Sequence, residues 1–562
     1  MAKYKPRVVC CCILAGVICA VAIVCLCIAS LLDRRCSHGS FKHAAVSADS
    51  QLCSEVGREM LQQGGSAVDG AIAALLCTSV VNPQSMGIGG GSIITIRNKS
   101  GRFYNCRETV PRSFKVNLLN DCPTKFQFST GSQWIGVPGE LRGYEKIHNQ
   151  YGKLPWRNLF QPAIRLAREG IPVPPYLGKL LNFNIVKVHV EKSSLCEILC
   201  NKNKTVLRHG DTLKFPRLAD TLDIIANKGA DAFYTGEIGH ELIQDIKAAG
   251  GTLQMDDLKS FQVRVEDAWT VPLGNAKIHI PPPPAGGALL AFILSLMKGF
   301  SLTPACMNGD QNIQMYHHFI EAVKFANGQK RSIRDPLFNK RKISGSEIYT
   351  VYIMMKFISH IRKKISSNRT HENSYYSNVE PSPDHFGTTH VSVLDADGLA
   401  VAATSTINEL FGGAVYSPRT GIILNNELSD FCHRADTVMA GEQPPSSMTP
   451  LILESESGGI LVIGGSGGSM ITTAVALSII NHLWLGMNLK DAVGAPVIFI
   501  DSINNLNFEP GFNKSVIDGL KLLGHKVGKW EYFLNVVNAV EKQSGCIVAV
   551  SDRRKMGVSA GY

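Results

Sequence analysis

The chain has 562 residues, of which 45% are hydrophobic and 18% are charged. This composition excludes a disordered protein, because enough apolar side chains are present to fill a large core. The formal net charge is +11, but no recognisable nucleic-acid-binding module accompanies the basic residues. We therefore interpret the excess as a solvated basic face and expect no nucleic-acid partner. No linker or internal repeat divides the chain, which favours one large body.

The N-terminal segment predicts a membrane anchor. Residues 8–32 form an apolar run without a charge, and about 20 apolar residues are enough for a helix to cross a bilayer. A cleaved signal peptide is the alternative, but its apolar region usually spans only about 7–15 residues. Three basic residues precede the run. We therefore expect residues 1–7 in the cytoplasm, residues 33–42 as a stalk and the remaining chain outside, as in a single-pass type II protein of the cell membrane.

The cysteine pattern fits an extracellular location. Six of the sixteen cysteines lie in the apolar run and ten lie outside it. No Cys or Cys/His set has the spacing of a zinc site, so no structural metal is expected. In an oxidising compartment some of the ten should pair, and Cys196 with Cys200 is a local candidate. Four N-x-S/T sequons predict glycosylation; they begin at Asn98, Asn203, Asn368 and Asn513.

A β-hairpin is predicted in the last third of the chain. Residues 390–394 and 399–404 are rich in β-branched side chains, and residues 395–398 (Asp-Ala-Asp-Gly) supply a turn between them. Thr388 lies at the start of the first strand. A threonine there is an ordinary strand residue, so the hairpin alone does not indicate catalysis.

Two short segments after the hairpin carry side chains that could bind a charged ligand. Glu427 and Asp430 are close enough for both carboxylates to approach one cation, although a turn with two solvated acids is the simpler interpretation. Ser446 and Ser447 precede a strand-like run, and their hydroxyls could donate to an anion or belong to an ordinary loop. Neither pair decides between these alternatives alone.

A strand, a glycine loop and a helix follow. Residues 460–463 predict a buried strand, and Ser469 is a candidate N-cap for a helix over residues 470–485. Gly467 and Gly468 therefore lie where backbone N–H groups collect and can hold an oxyanion. The loop lacks the Lys-Ser/Thr of a P-loop and the spacing of a dinucleotide site, so an anion hole is favoured over a nucleotide loop.

Many separate blocks, in the same order, resemble the γ-glutamyltransferase family (glutathione hydrolases). The resemblance runs from about residue 43 to residue 562. The first half contributes AAVSADS, VNPQSMGIGGG, CRETVP, GVPGELRGY and PPPPAGG; the second contributes TTHVSV, TSTIN, NNELSDF, PSSM, GGSGGS and SDRRK. Within the family, VYSPRTGIILNNEL, FLNVV and SDRRK are most similar to the leukotriene-processing branch.

The resemblance implies an α/β fold of the N-terminal-nucleophile hydrolase type, which is a four-layer αββα sandwich made as one chain and cut into two subunits. By motif, the cut lies between Gly387 and Thr388. The large subunit then comprises residues 43–387, and the small subunit comprises residues 388–562. Thr388 would be the nucleophile and its new α-amino group the base, because a threonine hydroxyl needs a base beside it. No metal or cofactor is then required.

The resemblance also assigns residues to a γ-glutamyl donor. Arg107 would bind the donor α-carboxylate together with the hydroxyls of Ser446 and Ser447. Glu427 and Asp430 would bind the α-ammonium group. An α-linked peptide has no free α-carboxylate at this position, so the arrangement implies selectivity for the γ-linkage.

Further roles come from the same family pattern. Asn408 would be another polar partner of the donor, and Thr406 would hold the Thr388 hydroxyl. The N–H groups of Gly467 and Gly468 would stabilise the tetrahedral oxyanion. Two disulfides are implied, which join Cys53 with Cys77 and Cys196 with Cys200.

The implied activity is hydrolysis or transfer of γ-glutamyl groups. Expected donors are glutathione and its S-conjugates, with leukotriene C4 converted to D4, and expected acceptors are water, amino acids and dipeptides. Residues 408–411 (Asn-Glu-Leu-Phe) lack the tyrosine that many relatives place two residues after the asparagine, so closure of the site is expected to differ.

Two other functions are alternatives. A non-catalytic cell-surface homologue would show damaged motifs, and the intact set of site residues argues against it. Another N-terminal-nucleophile amidase would share the fold, but Arg107 with the two acids favours an amino-acid donor.

Overall fold

The computed structural model describes residues 39–123, 130–339, 351–377, 387–501, 503–529 and 536–562, together with residues 20, 21, 23, 24 and 36. The predicted tail (residues 1–7), most of the predicted anchor (8–32) and part of the predicted stalk (33–42) lie outside these residues. Among the residues described, no helix has the length and hydropathy needed to span a bilayer.

Strands account for the centre of the molecule. In chain order they are β1 (Ala45–Ser47), β2 (Gly91–Arg97), β3 (Gly101–Cys106), β4 (Ile171–Pro172), β5 (Thr212–Leu213), β6 (Arg264–Asp267), β7 (Trp269–Pro272), β8 (Ala276–Ile280), β9 (Gly387–Leu394), β10 (Ala400–Asn408), β11 (Leu451–Ser455), β12 (Ile460–Ser466), β13 (Ile498–Ile500), β14 (Leu506–Phe508), β15 (Val536–Gln543), β16 (Cys546–Val550) and β17 (Ala560–Gly561).

The strands form two large sheets and two small ones. The seven-stranded sheet has the order β17–β1–β9–β10–β2–β3–β6. The six-stranded sheet has the order β16–β15–β12–β11–β8–β7. Neighbouring strands in both are antiparallel. Strands β4 and β5 pair separately, as do β13 and β14.

Helices surround the two sheets. In chain order they are α1 (Gln51–Gln62), α2 (Ala67–Val81), α3 (Glu140–Tyr151), α4 (Trp156–Glu169), α5 (Pro175–Leu181), α6 (Asn184–Lys192), α7 (Cys196–Leu199), α8 (Pro216–Lys228), α9 (Asp231–Tyr234), α10 (Glu237–Ala248), α11 (Met255–Ser260), α12 (Gly287–Lys298), α13 (Gly309–Gly328), α14 (Val351–Lys364), α15 (Met470–Leu483), α16 (Leu489–Gly494) and α17 (Lys514–Leu522).

The two large sheets pack face to face. Leu394 and Ala402 of the seven-stranded sheet share a buried apolar cluster with Ile452, Val462 and Val540 of the six-stranded sheet. Successive side chains of a strand point to opposite faces, so each sheet also presents an outer apolar face. These outer faces need helices to cover them.

Helices cover both outer faces. Val393 of the seven-stranded sheet belongs to the same core cluster as Leu75 of α2. Leu461 of the six-stranded sheet shares a cluster with Leu290 of α12 and Val475 of α15. The order helix, sheet, sheet, helix confirms the predicted αββα sandwich.

The local elements predicted near the candidate site are also confirmed. The predicted hairpin is formed by β9 and β10, in which Thr388 is opposite Thr406. The predicted strand over residues 460–463 extends to Ser466 in β12. The predicted helix over residues 470–485 is α15, which ends at Leu483. Ser469 occupies its N-cap position, but its side chain does not form the capping hydrogen bond.

Four disulfides are present in the described part of the chain. The predicted pairs Cys53–Cys77 and Cys196–Cys200 are both confirmed. Two further pairs, Cys36–Cys546 and Cys122–Cys432, were not predicted, and they join residues 510 and 310 positions apart. The structure exposes the asparagines of all four sequons, which stay predicted glycosylation sites.

Candidate active site

Thr388 and Thr406 face each other across the β9–β10 hairpin and are both buried. Their hydroxyl oxygens lie 3.2 Å apart. The Thr406 hydroxyl donates to the carbonyl oxygen of Gly387 at 2.6 Å and accepts from the backbone N–H of Asn408 at 2.8 Å. The chain continues from Gly387 to Thr388, so this geometry places a hydroxyl donor on the carbonyl of the predicted cleavage bond.

Gly387 is fixed as glycine by close packing. A Cβ atom at this position would overlap the carbonyl group of Glu409 and lie 2.9 Å from the carbonyl oxygen of Asn408. Asn408 has a positive φ of 78°, and the strand register shifts between Thr406 and Asn408. This irregularity brings the loop backbone onto the predicted cleavage bond.

Arg107 directly follows β3 and is fully buried, with 1% of its surface exposed. Its guanidinium lies 2.5 Å from a carboxylate oxygen of Glu427 and 2.5 Å from one of Asp430. It also donates to the carbonyl oxygens of Pro444 and Pro445 at 3.3 Å. Burial opposes the charge of Arg107, but Glu427 and Asp430 raise the pKa of its guanidinium above the ordinary value.

The sequence predicted that Arg107 and the two acids bind opposite groups of the donor, and it did not predict that they contact each other. The structure pairs them directly, because a buried guanidinium needs carboxylate partners. Glu427 and Asp430 lie on a short 3₁₀ helix, Glu427–Phe431. Asn408 reaches the same segment, where its side-chain N–H₂ donates to the Ser429 hydroxyl at 2.9 Å.

Glu108 is a buried acid that sequence reasoning missed. Its carboxylate lies 3.8 Å from the guanidinium of Arg107 and has no exposed surface. Burial, reinforced by Glu427, raises the pKa of Glu108 well above its ordinary value. This shift favours the neutral form of the Glu108 carboxyl group. Its position next to Arg107 in CRETVP was the available signal.

The two predicted serines lie on the loop that contacts Arg107. Ser446 is buried, and its backbone N–H donates to Pro284 O at 2.8 Å while its hydroxyl accepts from the Met448 N–H at 3.1 Å. Ser447 is half-buried, and its carbonyl accepts from the Thr472 hydroxyl at 3.3 Å. The loop is thus anchored on both sides of the serine pair.

Gly467 and Gly468 connect β12 to α15, with φ values of +116° and +58°. Glycine adopts such values at little cost, which explains the residue type. The ammonium of Lys555 connects this loop to the nucleophile strand, because it donates both to Thr388 O at 2.6 Å and to the hydroxyl of Ser466 at 2.9 Å. The glycine loop therefore adjoins Thr388.

One group of metal-ligand side chains occurs among the described residues, formed by His317, Glu321 and His525. His317 Nδ1 lies 2.8 Å from His525 Nε2, and His525 Nδ1 accepts from Lys324 at 3.1 Å. Glu321 accepts from the Tyr376 hydroxyl at 2.6 Å. Protein donors thus already occupy these groups, and a lysine charge beside them disfavours a cation.

The fold and this arrangement define a hydrolase of the N-terminal-nucleophile class. The fold of cephalosporin acylase from Bacillus halodurans is similar, with a TM-score of 0.82 and 22% identity over 93% of this chain and 96% of that one. The γ-glutamyltranspeptidase of Pseudomonas nitroreducens complexed with L-DON matches at a TM-score of 0.51 and 25% identity, covering 58% of this chain and 95% of that one.

The sequence comparisons identify the family. The family profile described as Gamma-glutamyltranspeptidase matches residues 53–562, so the chain belongs to this family. It is 45% identical over 572 residues to the glutathione hydrolase 5 proenzyme of Rattus norvegicus, covering 99% of both chains. It is also 45% identical to that of Homo sapiens over 555 residues, or 94% of both. The chain is therefore an enzyme, a γ-glutamyl hydrolase and transferase.

Proposed function

We propose that the chain cuts itself between Gly387 and Thr388 and then uses Thr388 to take γ-glutamyl groups from glutathione and its S-conjugates. The observation that carries this proposal is the position of the Thr406 hydroxyl, which donates to the Gly387 carbonyl and lies 3.2 Å from the Thr388 hydroxyl. A donor on that carbonyl stabilises the charge that develops when a nucleophile adds to it.

Self-cleavage begins when the Thr388 hydroxyl oxygen adds to the carbonyl carbon of Gly387. The peptide C–N bond breaks as the Thr388 nitrogen takes up a proton, which leaves an ester. Water hydrolyses the ester, so that Gly387 ends as a carboxylate and Thr388 begins with a free α-amino group. Such a group has a reference pKa of about 7.7–8.0, so a useful neutral fraction is present near pH 7 to act as the base.

In turnover, the α-amino group takes the Thr388 hydroxyl proton while the oxygen attacks the γ-carbonyl carbon of the donor. The N–H groups of Gly467 and Gly468 stabilise the oxyanion, and losing one such donor typically costs about 2.7–4 kcal/mol. The amide bond breaks as the ammonium returns the proton to the leaving nitrogen. Water then releases glutamate from the γ-glutamyl-Thr388 ester, or an amino acid or dipeptide amine takes the group.

Donor recognition follows from the ion pairs of Arg107. The free end of a γ-glutamyl group carries an α-carboxylate and an α-ammonium, which are the same two charges as in the Arg107–Asp430 pair. The carboxylate can bind Arg107 while the ammonium binds Glu427 and Asp430, so the buried charges stay balanced. The hydroxyls of the serine loop that contacts Arg107 add neutral donors.

The leukotriene-processing blocks of the sequence support leukotriene C4 as a donor. A lipid substituent gains about 0.8 kcal/mol for each CH₂ buried, whereas a small γ-glutamyl anilide cannot make that contact. We expect kcat/KM for leukotriene C4 to be at least that for glutathione. A ten-fold advantage for the anilide under the same buffer would reject the leukotriene assignment and leave the γ-glutamyl assignment intact.

We also place residues 43–387 and 388–562 outside the cell, behind an anchor over residues 8–32. Four disulfides and four exposed sequons support this location, because disulfides persist in oxidising compartments. This support comes from residues outside the apolar run and is independent of it.

The activity is tested with the full-length protein in detergent. The parent should release glutamate from glutathione, and Thr388→Ala should be an uncut chain without activity. Hydrolysis by Thr388→Ala would show that another residue is the nucleophile. A correctly cut parent that is inactive on glutathione, leukotriene C4 and the γ-glutamyl anilide would favour the alternative that the protein is a non-catalytic homologue.

A further inference from the structure

Lys555 is a buried lysine that none of the roles above uses. It ends the 3₁₀ turn Arg553–Lys555, and the next residue, Met556, has a left-handed φ of 60°. Only 3% of its surface is exposed. A lysine is almost never buried to this extent unless its charge is paired and its hydrogen bonds are made.

The ammonium group of Lys555 has one acceptor for each of its three protons. It donates to the carbonyl oxygen of Thr388 at 2.6 Å, to the hydroxyl of Ser466 at 2.9 Å and to a carboxylate oxygen of Asp49 at 2.9 Å. Thr388 is the proposed nucleophile, and Ser466 directly precedes Gly467. One cation therefore contacts both the nucleophile strand and the start of the oxyanion loop.

Asp49 holds this cation from the large-subunit side. It lies between β1 and α1, with 1% of its surface exposed. Its carboxylate also accepts from the Thr389 hydroxyl at 2.7 Å and from the Asn538 side chain at 2.7 Å. The Lys555 ammonium is thus held in place by groups from β9, from β12 and from the segment between β1 and α1, which leaves it little freedom to move.

We propose that Lys555 is a positioning residue, which fixes the Thr388 peptide against the oxyanion loop. The hydrogen bond to Thr388 O sets the orientation of the residue that carries both the nucleophilic hydroxyl and the future α-amino base. The hydrogen bond to Ser466 fixes the position of the following loop, in which the N–H groups of Gly467 and Gly468 would donate to the oxyanion. Catalytic groups need this kind of support, because a misplacement of about 1 Å can cost 100-fold in rate. The inference rests on the proposed function of Thr388.

A purely structural role makes a different prediction. If Lys555 only neutralised Asp49, replacing both by uncharged residues of similar size would restore a normal enzyme, since such replacements are often neutral for stability. Positioning requires the ammonium itself. The double variant Asp49→Asn/Lys555→Met therefore separates the two roles, while Lys555→Met alone leaves Asp49 without its cation.

The experiment measures self-cleavage, melting temperature and the steady-state kinetics of glutathione hydrolysis on the full-length protein. Both variants should lose about 10- to 100-fold in kcat, in line with one hydrogen bond from a charged donor, with the donor KM within two-fold. The double variant should melt near the parent. The matched control is Asp518→Asn/Lys521→Met, which removes an exposed ion pair of 3.0 Å and should leave kcat unchanged.

A double variant with the parent kcat would overturn the inference. Ser466→Ala is a milder test that removes one acceptor without removing a charge, and it should lower kcat about two- to ten-fold. A Ser466→Ala variant whose kcat equals that of the parent would also overturn the inference. A parent protein that is uncut or inactive on glutathione would instead reject the proposed function.

The disulfides Cys36–Cys546 and Cys122–Cys432, which sequence reasoning missed, support a second and independent inference. Cys36 and Cys122 precede the proposed cleavage bond, whereas their partners Cys546 and Cys432 follow it. We infer that the mature enzyme is a covalent heterodimer, joined by two bridges after the peptide bond is cut. This inference also rests on the proposed cleavage.

The two bridges attach the small subunit at two functional places. Cys432 follows Asp430 by two residues and lies in a buried cluster with Phe431 and Trp134, so this bridge holds the donor-binding segment to the large subunit. Cys36 lies in the predicted stalk, so the second bridge attaches the small subunit next to the anchor.

Denaturing gels with and without a reductant test the covalent heterodimer. The parent should run as one band without the reductant and as two bands with it. Cys36→Ser/Cys122→Ser should give two bands in both gels, whereas the control Cys196→Ser/Cys200→Ser should behave as the parent because its bridge lies within the large subunit. Two bands from the parent without a reductant would overturn the covalent link. One band in both gels would overturn the cleavage.

Discussion

Asp430 offers a sharp test of donor recognition, because it can be neutralised without changing its shape. Asp430→Asn keeps a side chain of the same size in a site that is 13% exposed, but it removes the carboxylate that lies 2.5 Å from Arg107. Arg107 retains Glu427 at 2.5 Å, so the buried guanidinium keeps a partner and the fold should survive. The Thr406 hydroxyl beside the predicted cleavage bond is held by the backbone of Gly387 and Asn408, so self-cleavage should proceed in Asp430→Asn.

The magnitude follows from the loss of one charge-assisted contact to the donor ammonium. Hydrogen bonds to charged groups contribute about 1.5–3 kcal/mol, which corresponds to about a 10- to 150-fold increase in the KM of glutathione. Because the lost contact is present in both the ground state and the transition state, kcat should change much less than KM.

The assay is initial-rate release of glutamate from glutathione, with cleavage checked on a reduced gel. The matched control is Asp436→Asn, which removes the same charge from an exposed pair with Arg331 at 2.9 Å; such surface pairs contribute about 0–1 kcal/mol. A cleaved Asp430→Asn protein with the parent KM would refute the assignment of the ammonium site.

Three further predictions concern cleavage, stability and topology. Gly387→Ala should block self-cleavage, because its Cβ would overlap the Glu409 carbonyl; a reduced gel should show one chain, and normal cleavage would contradict the packing argument. Burial raises the pKa of Glu140 to about 7, so the folded state binds more protons than the unfolded state. The free energy of unfolding therefore falls as the pH rises from about 4.5 to 7. In urea unfolding, Glu140→Gln should exceed the parent's free energy of unfolding by up to about 3 kcal/mol at pH 8 and by little at pH 4. An impermeant labelling reagent should reach the small subunit on intact cells, and labelling only after permeabilisation would reverse the predicted topology.

The sequence predictions that the structure confirms were based on local patterns in the chain. The β-branched residues around the Asp-Ala-Asp-Gly turn predicted the β9–β10 hairpin, and the glycine loop before Met470 predicted the start of α15. The Cys196–Cys200 bridge was a candidate because its cysteines are only four residues apart. These signals depend on neighbours in the chain, so a sequence reveals them directly.

Long-range contacts could not be predicted in the same way. No spacing rule pairs Cys36 with Cys546, which are 510 residues apart. The direct ion pair of Arg107 with Asp430 joins the two proposed subunits, and the family pattern assigned their roles without indicating their contact. Lys555 was part of the quoted SDRRK block, but its burial against Thr388 depends on how the C-terminal turn folds onto β9.

The central claim is that Thr388 is the first residue of the small subunit and carries the γ-glutamyl group during turnover. The most direct measurement is mass spectrometry of the reduced small subunit after a rapid acid quench with excess glutathione, followed by peptide mapping and N-terminal sequencing. We predict a chain that begins at Thr388 and a γ-glutamyl ester on its hydroxyl oxygen. A different N-terminus, or a γ-glutamyl group on another residue, would contradict the account.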